Sequence, residues 1–420
     1  MKLVIFEDDT FSNFFPLVYP RPIFELRCGA SSLAAKIERQ VGQKADAYLC
    51  RDYLVETFSL RAGGAKVNDL SGIKPGEEVL FVNGRILAKS DWKFPAELGV
   101  FGCTGKIGWW KTKADVTKLK SYADLLAAAG TERQKACGAK CFEYMWEVML
   151  ESVHVIADDF HAAGKSGVLS PLRPDVAVYG DKSALAISEG VEIHPFVCLD
   201  TRNGPITIES GTEIHPFTRI EGPCYIGPKC TILGAKIREG CSFGPVCRVG
   251  GEVEESIIHG YSNKYHDGFL GHAYVCEWVN LGALTTNSDL KNDYGSVEVH
   301  VNGGLVSSGS TKVGSMIGDH VKTSICTLLN TGSVVGTFAL LMAIGKPLPK
   351  FIPPFAWYVE GVISKGFGKK SLFETAKVAM SRRKKEWTEA DLRLYAKIAE
   401  ITEEERMVYI RKGRKQLAGR

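Results

Sequence analysis

Residues 187–249 read ISEGVEIHPFVCLDTRNGPITIESGTEIHPFTRIEGPCYIGPKCTILGAKIREGCSFGPVCRV. Ile187, Ile193 and Leu199 stand six residues apart. After an insertion Ile208, Ile214, Ile220, Ile226 and Ile232 keep that step, and after a one-residue slip Ile237, Phe243 and Val249 resume it. A period of six belongs neither to a helix, at about 3.6, nor to a single strand, at about 2. It marks short strands joined by tight turns, with each periodic aliphatic side chain pointing to the axis of a stacked β-solenoid. Gly, Pro, Asn and short polar residues fill the intervals, as turns require.

Val275, Leu281, Ile317, Thr323, Leu329 and Val335 continue the series. Three hexads to a coil give about eight coils, stacked at about 4.8 Å into a prism about 40 Å long. The repeated phrases EGVEIHPF and SGTEIHPF place His194 and His215 at equivalent turns, where Ile-His-Pro is read as turn chemistry in preference to metal ligation.

Outward from the repeat, the 420-residue chain is long for one core and divides into two or three domains. The divisions fall at residues 1–165, an α/β domain; 166–186, a connector; 187–345, the solenoid; and 346–420, a helical extension. A hydrophobic content of 45% and a charged content of 24% are those of a globular protein. No apolar run is long enough to span a membrane, and MKLVIFEDD lacks the apolar core of a secretory signal, so the sequence places the protein in the cytoplasm, with no membrane partner. Twelve cysteines without a CxxC pair indicate reduced, mostly buried thiols. The net charge is +4; residues 365–420 carry 16 Lys/Arg against 8 Asp/Glu, hence +8, and the rest of the chain −4. Those charges alternate along helical patterns, the signature of a solvated helix surface more than of a nucleic-acid site.

In the first domain Leu3–Phe6, Ala45–Cys50 and Val79–Val82 read as strands alternating with helices such as Ser32–Gln40. That order implies a mainly parallel sheet, with ligands beyond the carboxyl ends of the strands. EDDTFSNFFPLVYPRPIFELR, residues 7–27, follows the first strand. Arg21 and Arg27 there suit phosphate oxygens, and Asp8 or Asp9 suits a Mg²⁺ ion bridging phosphates; surface ion pairs are the other reading. Gly99–Gly108 lacks the spacing of a phosphate loop and reads as a flap or turn, with Trp109 and Trp110 available to stack on a base or sugar.

Between Glu252 and His272 the six-residue rhythm lapses, and the segment gathers Glu252, Glu254, Glu255, His259, Lys264, His266 and His272. A loop on a rigid prism is a natural place for chemistry. Acyl transfer needs a base near neutrality to deprotonate an acceptor, which a histidine supplies, and Lys264 and Asn263 suit a sugar phosphate. Zinc held by His259, His266 and His272 ranks below it, and a loop that only packs subunits is the structural alternative.

HDGFLGHAYVCEWVNLGALTTNSDLK, residues 266–291, resembles the acetyltransferase signature of the GlmU family, the bifunctional N-acetylglucosamine-1-phosphate uridyltransferases and glucosamine-1-phosphate acetyltransferases. GEVEESIIHGYSNKYHDGFLGH, NLGALTTNSDLKNDYG, IGDHVKTSICTLLNTGSVVG, GKPLPKFIPPFAW and, at residues 16–29, PLVYPRPIFELRCG look like a divergent branch of it. The resemblance implies a nucleotidyltransferase-like (Rossmann-like) α/β domain followed by a left-handed parallel β-helix of hexapeptide repeats. It also implies a homotrimer with acetyl-CoA bound between neighbouring prisms. His266 aligns with the catalytic base, and Phe269 falls where the family has a Tyr that holds the sugar phosphate. Asn287 lies close to the family's Asn for substrate contact, with Asn280, Gly282 and Ala283 in the coil that lines the cofactor; Arg248 and Glu252 are further candidate substrate contacts.

The chain also departs from the family. Two residues after Arg248, Gly250 replaces a phosphate-binding Arg. Asn83-Gly84-Arg85 stands where a metal Asp follows a strand, which weakens the case for phosphoryl transfer. The sequence therefore predicts acyl transfer to a sugar phosphate or nucleotide sugar, with nucleotidyl transfer over Mg²⁺ as companion activity. A non-catalytic nucleotide-sugar-binding or assembly protein is the alternative. Helical spacing in Phe373–Ala379 and Glu389–Met407 predicts terminal helices on the end of the prism.

Overall fold

The computed structural model describes residues 1–418 apart from 95, 131–134, 165, 344 and 367, so the expected domain boundary at residue 165 lies outside the described residues. The chain forms an amino-terminal α/β layer, a three-sided parallel β-prism and a carboxyl-terminal group of helices.

Among the described residues the amino-terminal sheet has seven strands: β1 (Lys2–Phe6), β2 (Ala47–Leu49), β3 (Lys66–Val67), β4 (Val79–Asn83), β5 (Gly99–Cys103), β6 (Lys106–Thr112) and β7 (Lys135–Ala136). Their order across the sheet is β7-β5-β6-β4-β1-β2-β3. β1 lies between β2 and β4, parallel to both. It is buried on both sides, which is why LVIF reads as an unbroken apolar run. Helix α1 (Leu33–Val41) starts where Ser32 Oγ accepts from the Ala35 amide at 3.2 Å and stops at Gly42 in the left-handed region. The Gly99–Gly108 stretch is neither flap nor platform. It is the antiparallel β5–β6 hairpin, with Trp109 and Trp110 both buried.

Among the described residues the first face of the prism has ten parallel strands, from Gly167–Val168 to Phe351–Ile352. With the strands Trp357–Val359 and Val362–Ser364 the solenoid outlasts the 187–345 read from the repeat at both ends. The inward Ile, Val and Leu of the three faces form one axial core. This architecture is consistent with a left-handed β-helix. On every coil from Ile187 onward the third residue after the first-face strand turns the corner with positive φ: Gly190, Gly211, Lys229, Val246, Tyr261, Trp278, His320, Phe338 and Phe355.

The segment 252–272 is not a loop off the prism. Phe243 pairs with Ile258, which pairs with Val275, so the coil between Phe243 and Ile258 is shortened rather than interrupted. The lapse in the six-residue rhythm is that shortening. The true excursion is 288–314, whose hairpin pairs Glu298–Val301 with Gly304–Ser307. Its Val297, Val299 and Val301 pack with Phe14, Leu17 and Trp146.

The α/β domain lies along the first face: outward-pointing Ile257, Tyr274, Met316 and Val334 share a core with Phe14, Leu17, Ile23 and helix α2 (Met145–Ala163). The carboxyl-terminal helices are α3 (Lys369–Ser381), α4 (Glu389–Ile401) and α5 (Glu403–Ala418). They do not simply cap the prism. Leu372, Phe373, Leu394 and Tyr395 share a core with Leu3, Ile5, Phe24 and Phe58 of the first domain. α3 also runs over the second face of the prism, beside Asn263, Asn280 and Lys322.

Candidate active site

His266 follows the strand Asn263–Lys264, at the corner between the second and third faces. Its imidazole is exposed and has no hydrogen-bond partner among the described residues; the Tyr265 ring meets it edge-on at 5.8 Å. Lys264 fixes that turn. Its buried ammonium donates to the carbonyls of Gly250 at 3.0 Å and His266 at 2.7 Å, and burial, opposed by Asp267, pulls its pKa down to about 8. The missing Arg at Gly250 has a steric reason, since a Cβ there would meet the Tyr265 carbonyl at 2.2 Å. Lys264 is thus spent on the backbone and is not a free phosphate contact.

The other expected residues separate into two groups. Asn287 is buried and clamps Gly271, accepting from its amide and donating to its carbonyl, each at 2.8 Å; it holds coil to coil instead of facing a substrate. The Gly282 amide donates to Thr323 Oγ1 at 2.8 Å, and Ala283 accepts from the Cys326 amide at 2.8 Å. Phe269 and Glu252 lie on the third face, Glu252 beside Arg238 at 3.9 Å. Arg248 is exposed over the Tyr265 ring at 5.8 Å.

Asn263 and Asn280 come together on the second face. Asn263 Nδ2 donates to Asn280 Oδ1 at 3.1 Å, and Arg383 Nη2 donates to Asn263 Oδ1 at 3.0 Å. They line a cleft of about 840 Å³ between the prism and α3. Tyr261, Trp278, Lys322, Lys370, Arg382 and Arg383 line it too, and the sequence reading missed them. The rule that places Tyr261 and Trp278 at corners was available from the register; the partnership with α3 was not.

The three histidines proposed for zinc are kept apart by the fold, and among the described residues they form no ligand cluster. His259 is half-buried on the side of the first domain, its Nδ1 3.0 Å from Tyr274 Oη. His272 is locked between carboxylates, with Nδ1 2.8 Å from Asp289 Oδ2 and Nε2 3.4 Å from Glu255 Oε2. Glu254 and Glu255 lie within ligand reach of His272. Glu254 is already held by Arg238 at 2.6 Å and Lys312 at 3.2 Å.

At the carboxyl ends of β1, β2 and β4, where a nucleotide is expected, side chains pair with one another. Glu7 is buried and takes Arg51 Nε at 2.8 Å and the Ile23 amide at 2.9 Å. Asp8 Oδ2 takes Arg85 Nη2 at 2.6 Å, Arg85 Nε at 3.0 Å and Asn83 Nδ2 at 2.8 Å, while Oδ1 takes Thr10. Burial pushes the Asp8 pKa up, but Arg85 and these donors outweigh it and hold the carboxyl below its usual range. With both oxygens taken and a guanidinium beside it, Asp8 does not fit Mg²⁺. Asp9 is exposed and paired with Lys106 at 2.8 Å.

Arg21 and Arg27 leave the strand ends altogether. Arg21 is buried against Asp319 and Glu277 of the prism. Arg27 lies over Tyr225 at 5.5 Å, its amide donating to Tyr274 Oη at 2.9 Å. Both join the domains rather than hold phosphate.

An α/β domain laid along a parallel β-prism, with an exposed corner imidazole and a cationic cleft, defines a two-domain chain with separate candidate sites. Residues 3–166 match the family model described as sugar nucleotidyl transferase. Over 115 residues the chain is 36% identical to a bifunctional sugar-1-phosphate nucleotidylyltransferase/acetyltransferase of Sulfurisphaera tokodaii, covering 27% of this chain. It spans about a quarter, 26%, of that relative's length. Among solved structures, the Arabidopsis UDP-N-acetylglucosamine acyltransferase aligns over 51% of this chain and 80% of its own, at 11% identity and a TM-score of 0.24. The UDP-N-acetylglucosamine O-acyltransferase of Moraxella catarrhalis aligns over 58% and 96%, at 14% identity and a TM-score of 0.19.

Proposed function

We propose that the chain is a transferase of sugar phosphates or nucleotide sugars whose prism carries acetyl-CoA-dependent acyl transfer. The observation that carries this reading is His266: an exposed imidazole on a turn whose backbone is pinned by Lys264. The imidazole accepts a proton from an acceptor amine or hydroxyl as that atom attacks the thioester carbonyl; the thiolate of CoA leaves and takes the proton back. A neighbouring copy completes the site in a homotrimer. Phe196, Phe217, Leu284 and Ile325, on turns of the same corner, are 63%, 77%, 53% and 66% exposed, an apolar edge of the kind that subunit contacts cover.

Nucleotidyl transfer is the companion activity of the first domain, supported by its family match. A second reading, that this domain binds nucleotide sugar or serves assembly without catalysis, is favoured by one observation: Arg51 and Arg85 occupy Glu7 and Asp8.

The test is turnover of purified protein with acetyl-CoA, Mg²⁺, nucleoside triphosphates and a panel of sugar 1-phosphates and nucleotide sugars. CoA release that falls by about 10²-fold or more in His266→Ala, with fold and oligomer size unchanged, is the expected result. Unchanged release in the variant, or none from the wild type across the panel, overturns the acyl-transfer reading. Pyrophosphate with a new nucleotide sugar would establish the companion activity.

A further inference from the structure

We infer that the cleft between the second face and α3 is a binding site for a phosphate ester, built within one chain and using cations from α3 and the turn that follows it. The cleft's volume, about 840 Å³, is that of a small-molecule site. Its floor is the prism: Asn263, Asn280 and Lys322, with Tyr261 and Trp278 stacked at 4.5 Å and 15°. Its other wall is α3 and the turn that ends it, which bring Lys370, Arg382 and Arg383.

The charge balance is what points to an anion. Among the described residues four cations line the cleft, Lys322, Lys370, Arg382 and Arg383, against one carboxylate, Glu374. Glu374 is already paired with Lys377 at 3.0 Å, outside the cleft. Lys322 is half-buried, and its ammonium donates to a neutral acceptor, the Trp278 carbonyl, at 2.7 Å. Burial alone pulls its pKa down to about 8. Arg383 spends Nη2 on Asn263, while its buried Nε has no partner among the described residues. Burial and the nearby charge of Arg248 pull its pKa down as well. Lys322 and Arg383 are half-buried and donate only to neutral acceptors among the described residues, a cost that an anion in the cleft would offset; the exposed Lys370 and Arg382 add positive charge to its lining, and a guanidinium fork matches phosphate oxygens. Val279, Val378 and Ala379 add apolar wall for the uncharged part of the ligand.

The identity of the ligand rests on the transferase reading above, since either a sugar phosphate or a nucleoside diphosphate group supplies the same anion. The site itself does not depend on His266, which is outside the cleft lining.

Calorimetry on the full chain separates these cases, with a sugar 1-phosphate, nucleoside diphosphates and inorganic pyrophosphate as probes. Lys370 and Arg382 are exposed, so the Lys370→Ala/Arg382→Ala variant tests charge without disturbing the core; Arg383→Lys tests the fork. Saturable binding of one organic probe is expected, weakened about tenfold or more in the double variant and less in Arg383→Lys, and unchanged in His266→Ala even if turnover is lost. Binding that pyrophosphate matches, binding indifferent to the double variant, or no binding of any probe overturns the proposal. Binding retained while no CoA is released would sink the acyl-transfer reading and leave the cleft standing.

Discussion

Arg21 and Asp319, 298 positions apart in sequence, meet across the junction of the two domains, Nη1 donating to Oδ2 at 3.0 Å. Asp319 is fully buried, Arg21 nearly so, and Glu277 adds a second carboxylate at 3.3 Å. Removing the arginine leaves a buried carboxylate without its counter-charge, which costs about 3–5 kcal/mol. Arg21→Met is therefore expected to lower the unfolding midpoint in urea by that equivalent. Arg21→Met with Asp319→Leu should recover part of the loss, because no orphaned charge at Asp319 remains. Two independent, additive losses would show that the pair does not join the domains.

His272 predicts an alkaline limit. Burial lowers its pKa, but Asp289 and Glu255 raise it further, to about 9. A folded value above the unfolded one, about 6.5, stabilises the native state fully below the unfolded value, and the contribution fades as pH rises through about 9. Asp289 and Glu255 are held below their usual range by the same pairing, so their share is present above the unfolded carboxylate values and is lost in acid. Amide exchange in the 288–314 excursion, which Asp289 anchors, should accelerate above pH 9 beyond its intrinsic pH trend. His272→Gln should exchange faster at neutral pH and lose that extra acceleration. A variant indistinguishable from wild type at pH 7 would mean that the imidazolium anchors nothing.

Asp8 gives a prediction opposite to a metal ligand's. Its carboxylate holds Arg85, Asn83 and Thr10 beneath the strand ends, so Asp8→Asn should destabilise the first domain by about 3 kcal/mol or more. Adding Mg²⁺ alone should leave the melting temperature of wild type and variant unmoved. A Mg²⁺-dependent rise in wild type that Asp8→Asn abolishes would restore the metal role.

How far the sequence was legible follows from the range of the interactions involved. The prism was readable from Ile187 to Val335 because each coil repeats one local rule, an inward aliphatic every sixth residue. Outer coils at Gly167 and Trp357 escaped because their neighbours are α2 and the helices rather than more hexads. The shortened coil between Phe243 and Ile258 mimicked a loop, since deleting turn residues shifts the period without breaking the ladder. Arg21 and Arg27 were misplaced for another reason: an arginine after a strand suits phosphate or a distant carboxylate equally, and Asp319 lies too far along the chain to be foreseen. The cleft at Asn263 and Asn280 was half legible, because its second wall comes from residues 370–383.

Lys264 offers the sharpest separation between a substrate contact and a positioning residue. Its ammonium donates to Gly250 O and His266 O and is buried beneath the turn that carries the imidazole. If it bound phosphate, Lys264→Met would chiefly raise KM, and a phosphate-free acceptor would be insensitive to the change. If it holds the His266 turn, the variant loses both hydrogen bonds, the imidazole samples other orientations, and kcat falls by about tenfold or more with KM little changed. The loss should then be the same with charged and uncharged acceptors, and absent against a His266→Ala background, where the base it positions is gone. A KM-only effect confined to phosphorylated acceptors would return Lys264 to the substrate.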